Sequence, residues 1–81
     1  LNAATFDNKE LEFSPTDLAL SADGKRLYAV GRAGCLSVID LETARVLASL
    51  EIGHDLRNIA LAPDGTAYIS SFGTNSVSIV R

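Results

Sequence analysis

The chain repeats itself with a period of roughly 41 residues, a length typical of proteins that stack one small structural unit. The segment LALSADGKRLYAV, at residues 18–30, returns in a weaker form as IALAPDGTAYIS at residues 59–70. The Asp-Gly pairs inside these segments begin at Asp23 and Asp64 and set the period. The repeat therefore constrains the fold more than the length of 81 residues, which suits one small domain.

Each repeat has the residue pattern of β-strands. Asp-Gly between two apolar runs predicts a hairpin turn. The segment LETARVLA, at residues 41–48, has helical propensity, but the repeat requires a fourth strand there. We therefore predict an all-β chain with two four-stranded sheets. The predicted strands lie near residues 9–14, 17–21, 26–31, 35–40, 45–52, 57–62, 66–71 and 76–81.

Four short strands in each repeat of this length are typical of a blade of a β-propeller. The segments SADGKRLYAV and CLSVIDLETARVLASLEIG resemble the YVTN-type β-propeller repeat, in which Pro-Asp-Gly, Leu-Tyr-Val and Val-Ser-Val-Ile-Asp recur. APDGTAYISSFGTNSVSIV is similar to the same repeat, so the resemblance covers residues 15–81. The family's Tyr-Val-Thr-Asn is altered to YAVG at residues 28–31 and YISS at residues 68–71. The resemblance implies a propeller of periplasmic, secreted or cell-surface origin.

A second resemblance covers one blade. VGRAGCLSVIDLETARVLASLEIG is similar to a blade of the haem-holding propeller of periplasmic cytochrome nitrite reductases, where a Gly-Arg-x-Gly loop precedes such a strand. Gly31, Arg32 and Gly34 carry the loop match. A match of one blade implies no haem site by itself, and we predict no cofactor.

Composition excludes several classes of function. The net charge of −3 and the pI of about 4.8 argue against sequence-independent binding to nucleic acid, which needs basic patches. The single cysteine, Cys35, excludes an internal disulfide and a metal site of the CxxC type. No apolar run approaches the roughly 18 residues that a membrane-spanning helix needs. We predict neither a nucleic-acid partner nor a membrane span.

The candidate ligand-binding residues lie in two classes of loop. His54, Asp55 and Arg57 lie in the loop between the two repeats, which in propellers of this kind is at the end where the central channel opens. Arg32 and the loop at residues 73–75 lie between second and third strands. We predict that any ligand binds near Arg32, His54, Asp55, Arg57 and Asn75. The simpler interpretation of each charged residue is a solvated side chain, and one histidine makes a poor metal site.

Other reactive side chains have structural interpretations. Cys35 begins a predicted strand and is interpreted as a small buried hydrophobe, because no base accompanies it. Asp23 and Asp64 are interpreted as turn formers, since each precedes glycine in the same hairpin position. Tyr28 and Tyr68 occupy equivalent strand positions and are predicted to pack in cores. We identify no catalytic residue.

The predicted organisation divides the chain into three parts. Residues 1–14 form an outer strand that closes an incomplete blade, residues 15–53 form the first blade, and residues 54–81 form a second blade with three strands. A second copy placed head to tail keeps the period, because about one repeat length separates Asp64 from Asp23 of the next copy.

Assembly follows from this organisation, because two blades cannot close a ring. We predict a cyclic homo-oligomer of three or four copies, with six or eight blades, that acts as a scaffold or binding module. The alternative is a fragment that is held by the remaining blades of a parent propeller. That parent would be an enzyme of a lactonase-like or haem-dependent kind.

Overall fold

The computed structural model describes residue 5, residue 11 and residues 13–81, and seven β-strands lie within them. They form a four-stranded antiparallel sheet, β1-β2-β3-β4 (sheet 1), and a three-stranded antiparallel sheet, β5-β6-β7 (sheet 2). The all-β prediction is confirmed, and β4 is a strand despite its helical propensity. The strands are β1 Pro15–Leu20, β2 Arg26–Gly31, β3 Cys35–Asp40, β4 Arg45–Glu51, β5 Leu56–Leu61, β6 Ala67–Ser71 and β7 Ser76–Val80.

The strand predicted over residues 9–14 lies partly outside the described residues. Of its described members, Leu11 has helical backbone, and Phe13 and Ser14 belong to no strand. Leu11 and Phe13 are instead buried against Ala29 and Ile39 of sheet 1. At these positions the prediction of a strand is wrong, because the two apolar side chains cover a sheet face rather than join a sheet edge.

Both Asp-Gly turns are held by their aspartates, as predicted. Asp23 accepts hydrogen bonds from the Ser21 hydroxyl at 2.6 Å and from the Lys25 N–H at 2.9 Å. Asp64 accepts one from the Thr66 N–H at 2.9 Å. The glycines that follow have positive φ angles, +74° at Gly24 and +91° at Gly65, which glycine adopts without a steric penalty.

Each sheet has two faces, because side chains alternate along a strand. We call one the front face and the other the back face. In sheet 1 the front face carries Ala19, Tyr28, Val30, Leu36 and Val38, and the back face carries Leu18, Leu20, Leu27, Ala29 and Ile39. In sheet 2 the equivalent front face carries Ala60, Tyr68, Ser70, Val77 and Ile79, and the back face carries Ile59, Leu61, Ala67, Ile69 and Val80.

The front face of sheet 1 packs on the back face of sheet 2. The shared core contains Val30 and Leu36 from sheet 1 and Ile59 and Ile69 from sheet 2. Two hydrogen bonds hold β1 and β5, the first strands of the two sheets, beside each other. The Thr16 hydroxyl donates to the Leu56 carbonyl at 2.6 Å, and the Ile59 N–H donates to the Asp17 carboxylate at 2.9 Å.

The front face of sheet 2 is open in the single chain. Tyr28 is half-buried in the shared core, as predicted, but its equivalent Tyr68 is 42% exposed. The prediction that Tyr68 packs in a core is therefore wrong for the single chain, since no described residue covers the face on which it lies.

The β2–β3 loop comes very close to the segment that joins the sheets. The Ile52 N–H donates to the Gly34 carbonyl at 2.9 Å. Gly34 has a φ of +89°, and a Cβ atom there would overlap the carbonyl of Gly53. Glycine at position 34 is therefore required both by its backbone conformation and by the close approach.

We expect Gly34→Ala to destabilise the chain more than Gly24→Ala. Position 24 also has a positive φ, but no atom lies within 4 Å of where its Cβ would be, so alanine there costs about 1 kcal/mol from backbone strain alone. At position 34 the overlap adds to the strain, for a loss of roughly 3 kcal/mol. Urea unfolding at one chain concentration measures both. Equal losses would contradict the close approach.

The turn aspartates should make stability depend on acid. The Ser21 hydroxyl and then the Lys25 N–H lower the pKa of Asp23 below its ordinary 3.8, and the Thr66 N–H and hydroxyl lower the pKa of Asp64. The two carboxylates therefore bind protons more readily in the unfolded chain than in the folded chain. The resulting stabilisation is present above pH 3.8 and is lost as the pH falls through the lower folded-state pKa values.

We expect the double variant Asp23→Asn, Asp64→Asn to lose less stability in acid than the wild-type chain. Asparagine keeps an acceptor oxygen in each turn but does not titrate. The measurement is the free energy of unfolding in urea from about pH 5 to about pH 2. The unfolding curve at neutral pH serves as the control for turn formation. An unchanged acid-induced loss would show that other carboxylates are responsible.

Candidate functional site

Three loops meet at one end of the two sheets. They are the β2–β3 loop at residues 32–34, the β4–β5 loop at residues 52–55 and the β6–β7 loop at residues 72–75. Asp55 joins them through its backbone: its N–H donates to the Arg32 carbonyl at 2.9 Å, and its carbonyl accepts from the Phe72 N–H at 3.0 Å. Asp55 has a φ of +50°, a region that aspartate tolerates better than most residues.

The Asp55 carboxylate also gathers two guanidinium groups. Arg57 donates to it twice, from Nε to Oδ1 at 3.0 Å and from Nη2 to Oδ2 at 3.1 Å. Nε of Arg32 lies 3.6 Å from Oδ1. Two positive charges therefore share one negative charge, and the cluster keeps a net positive charge in a chain that is acidic as a whole.

The guanidinium group of Arg57 also contacts an exposed aromatic ring. The guanidinium carbon lies 5.0 Å from the centre of the Phe72 ring, within the range of a cation–π contact. Phe72 is 70% exposed. The bidentate pair with Asp55 and the ring of Phe72 together restrict where the charge of Arg57 can lie.

These side chains border an open cleft of about 690 Å³. Guanidinium, hydroxyl and amide groups dominate its walls, and such groups suit a polar ligand with an anionic part. The cleft is lined by Thr16, Arg32, Arg57, Asn58, Ser70, Ser71, Phe72 and Asn75.

The structure brings most of the predicted site residues together. Arg32, Arg57 and Asn75 line the cleft, and Asp55 binds the two arginines. His54 is separate: its side chain is exposed and does not line the cleft, and its carbonyl accepts a hydrogen bond from the Ser71 hydroxyl. His54 therefore lies beside the cleft and is not part of its wall.

Sequence reasoning missed Phe72 and the hydroxyl groups of the cleft wall. Aligning the two repeats places Phe72 at the position that Arg32 holds in the first repeat, and this signal was present in the sequence. Thr16 gave no comparable signal, because it reaches the cleft only through the packing of β1 beside β5.

Cys35, a metal site and a membrane span are the remaining features that the sequence analysis addressed. Cys35 is half-buried and packs against the cluster formed by Leu11, Phe13, Ala29 and Ile39. Among the residues that the structure describes, no group of three His, Cys, Asp or Glu side chains could hold a metal ion. No helix in the described part of the chain is long and apolar enough to cross a membrane.

Comparison with known proteins establishes the fold. No family model and no curated protein matches the chain. Among solved structures, hydrazine synthase of Kuenenia stuttgartiensis is similar over 82% of this chain, with 25% identity and a TM-score of 0.78. The β-propeller domain of Cps50 (Swd1) from Myceliophteria thermophila is similar over 74% of it, with 22% identity and a TM-score of 0.68.

The chain spans about a fifth of each of these structures, 19% and 20% of their lengths. The likeness shows that the two sheets are blades of a partial β-propeller. A partial propeller needs further blades to close its ring.

Proposed function

We propose that the chain is a building block of a β-propeller of the YVTN-repeat type, which assembles with further copies into a ring and presents a binding surface at its loop end. The observation that carries this proposal is the incomplete edge of sheet 2. Within the described residues β7 pairs only with β6, whereas the equivalent strand β3 pairs with both β2 and β4.

The place of a fourth strand is open and apolar. Beside β7 runs a groove of about 320 Å³, walled by Leu36, Leu47 and Leu50 of sheet 1 and by Ala67 and Val80 of sheet 2. Leu47 and Leu50 on β4 are 49% and 44% exposed there, because no described strand lies opposite them. A strand paired with β7 would cover these side chains and complete the blade.

The proposed source of that strand is the segment 1–10 of a neighbouring copy. Leu11 lies one full repeat before Ile52, the residue that follows β4. By the repeat period, the sequence positions that correspond to β4 lie before Leu11. A strand donated from those positions would leave Leu11 and Phe13 on sheet 1 of their own chain.

Sedimentation equilibrium of the pure chain tests this proposal. We expect a mass of three or four times 8.6 kDa, which corresponds to a ring of six or eight blades. Deleting residues 1–10, which keeps Leu11 and Phe13, should shift the equilibrium towards smaller species, because β7 loses its partner strand. A folded wild-type monomer would refute self-assembly.

A second candidate function is a segment of a larger propeller enzyme. The observation that favours it is the match to hydrazine synthase, of whose chain this sequence spans only 19%. Under this alternative the remaining blades belong to one longer polypeptide, and the isolated chain neither forms a closed ring nor has catalytic activity.

The proposed ligand surface is the cleft at Arg32, Arg57 and Asn75, with His54 and Asp55 at its border. The excess of guanidinium over carboxylate groups favours ligands with a phosphate or carboxylate group. In a ring, several copies of this cleft would surround the channel opening.

We expect the double variant His54→Ala, Arg57→Ala to weaken binding of inorganic phosphate at least tenfold, measured by calorimetric titration at low ionic strength. Arg26→Ala is the matched control, because Arg26 begins β2 beside the Asp23 turn and does not line the cleft. Equal binding by the double variant and the control would place the anion elsewhere.

A further inference from the structure

Two sheet faces of the chain carry exposed apolar side chains whose equivalents are buried inside the same chain. On the front face, Leu36 of sheet 1 is 1% exposed, whereas its equivalent Val77 of sheet 2 is 64% exposed. On the back face, Ile59 of sheet 2 is 8% exposed, whereas its equivalent Leu18 of sheet 1 is 52% exposed. The front face of sheet 2 therefore lacks a partner among the described residues. On the back face of sheet 1, Leu18 and Leu20 remain uncovered beside the part that Leu11 and Phe13 cover.

From this correspondence we infer that the exposed front face of sheet 2 docks on the back face of sheet 1 in a second copy of this chain, with Leu11 and Phe13 of that copy in place. The inference rests on the proposed function and names the two surfaces that meet. Its template is the interface already present between sheets 1 and 2. The equivalent positions are again apolar, with Tyr68, Val77 and Ile79 on one side and Leu18, Leu20 and Leu27 on the other.

The segment that covers sheet 1 does not compete with this docking. Leu11 and Phe13 lie over Ala29 and Ile39 and leave Leu18 and Leu20 exposed. Leu11 is the equivalent of Ile52, which packs inside the interface between sheets 1 and 2. Leu11 and Phe13 can therefore stay in place when a second copy docks, as Ile52 does between sheets 1 and 2.

A polar contact supports the same register. Between sheets 1 and 2, the Asp17 carboxylate accepts the Ile59 N–H at 2.9 Å. Asn58 lies one repeat after the acceptor Asp17, and Leu18 lies one repeat before the donor Ile59. In the single chain the Leu18 N–H donates to its own Asp17 carboxylate at 2.9 Å. On docking it would exchange that acceptor for the amide oxygen of Asn58 in the second copy and repeat the bond between chains.

Two different surfaces meet in this interface, so it is heterologous and each copy can bind one neighbour on each side. A symmetric dimer built front face to front face would use only one of the two surfaces. The two arrangements respond differently to substitutions, and this difference supplies the test.

The experiment uses Val77→Lys, Leu18→Lys and an equimolar mixture of the two, measured by sedimentation equilibrium. Both positions are more than half exposed in the single chain, so lysine should not disturb its fold, which circular dichroism checks. Each variant keeps one intact surface. We expect each alone to be a monomer and the mixture to form a one-to-one heterodimer with twice the 8.6 kDa chain mass.

Leu41→Lys is the matched control, because Leu41 lies in the β3–β4 turn and is 42% exposed. It should assemble as the wild-type chain does. Assembly of the wild type together with persistence of oligomers in Leu18→Lys or Val77→Lys would overturn this register but leave the proposed function intact. A mixture that stays monomeric would also overturn the register. A monomeric wild-type chain would overturn the proposed function as well.

Discussion

Both sheets carry apolar side chains on two faces, and the packing of the front face of sheet 1 on the back face of sheet 2 covers one pair of those faces. Each large side chain that becomes fully buried there contributes roughly 1.5–3 kcal/mol, and Leu36 and Ile69 are among them. Small sheets of three or four strands have little stability without such a packed face. Within the described residues, the relative positions of the loops at the candidate site follow from this contact.

The candidate site is a consequence of that packing. Placing β1 beside β5 brings Thr16 towards the β4–β5 loop, and the close approach of Gly34 to Gly53 holds the β2–β3 loop against the same segment. Asp55 then lies between Arg32 and Arg57. The charged residues come from two different loops and from the start of β5. Their shared cleft exists only because two sheets meet at a fixed angle and register.

The sequence predicts the strands well, because Asp-Gly turns and residue alternation are local signals with a direct steric basis. It also predicts the loop end, since equivalent loops of a repeat lie on the same side. It fails at Leu11 and Phe13, because two apolar residues with one residue between them fit both a strand and a covering segment. It fails at Tyr68 because local pattern shows which face a residue is on, but not whether another sheet covers that face.

The edge of β7 has a consequence for aggregation whenever no further strand covers it. The strand SVSIV has neither a charged residue nor a proline, the two features that most often prevent an edge strand from pairing with the wrong partner. Short uncharged segments of high β-propensity are also the kind that stack into amyloid-like aggregates. While no strand covers β7, this segment is therefore available for aggregation. A strand that pairs with this edge of β7 would therefore also protect the chain against aggregation.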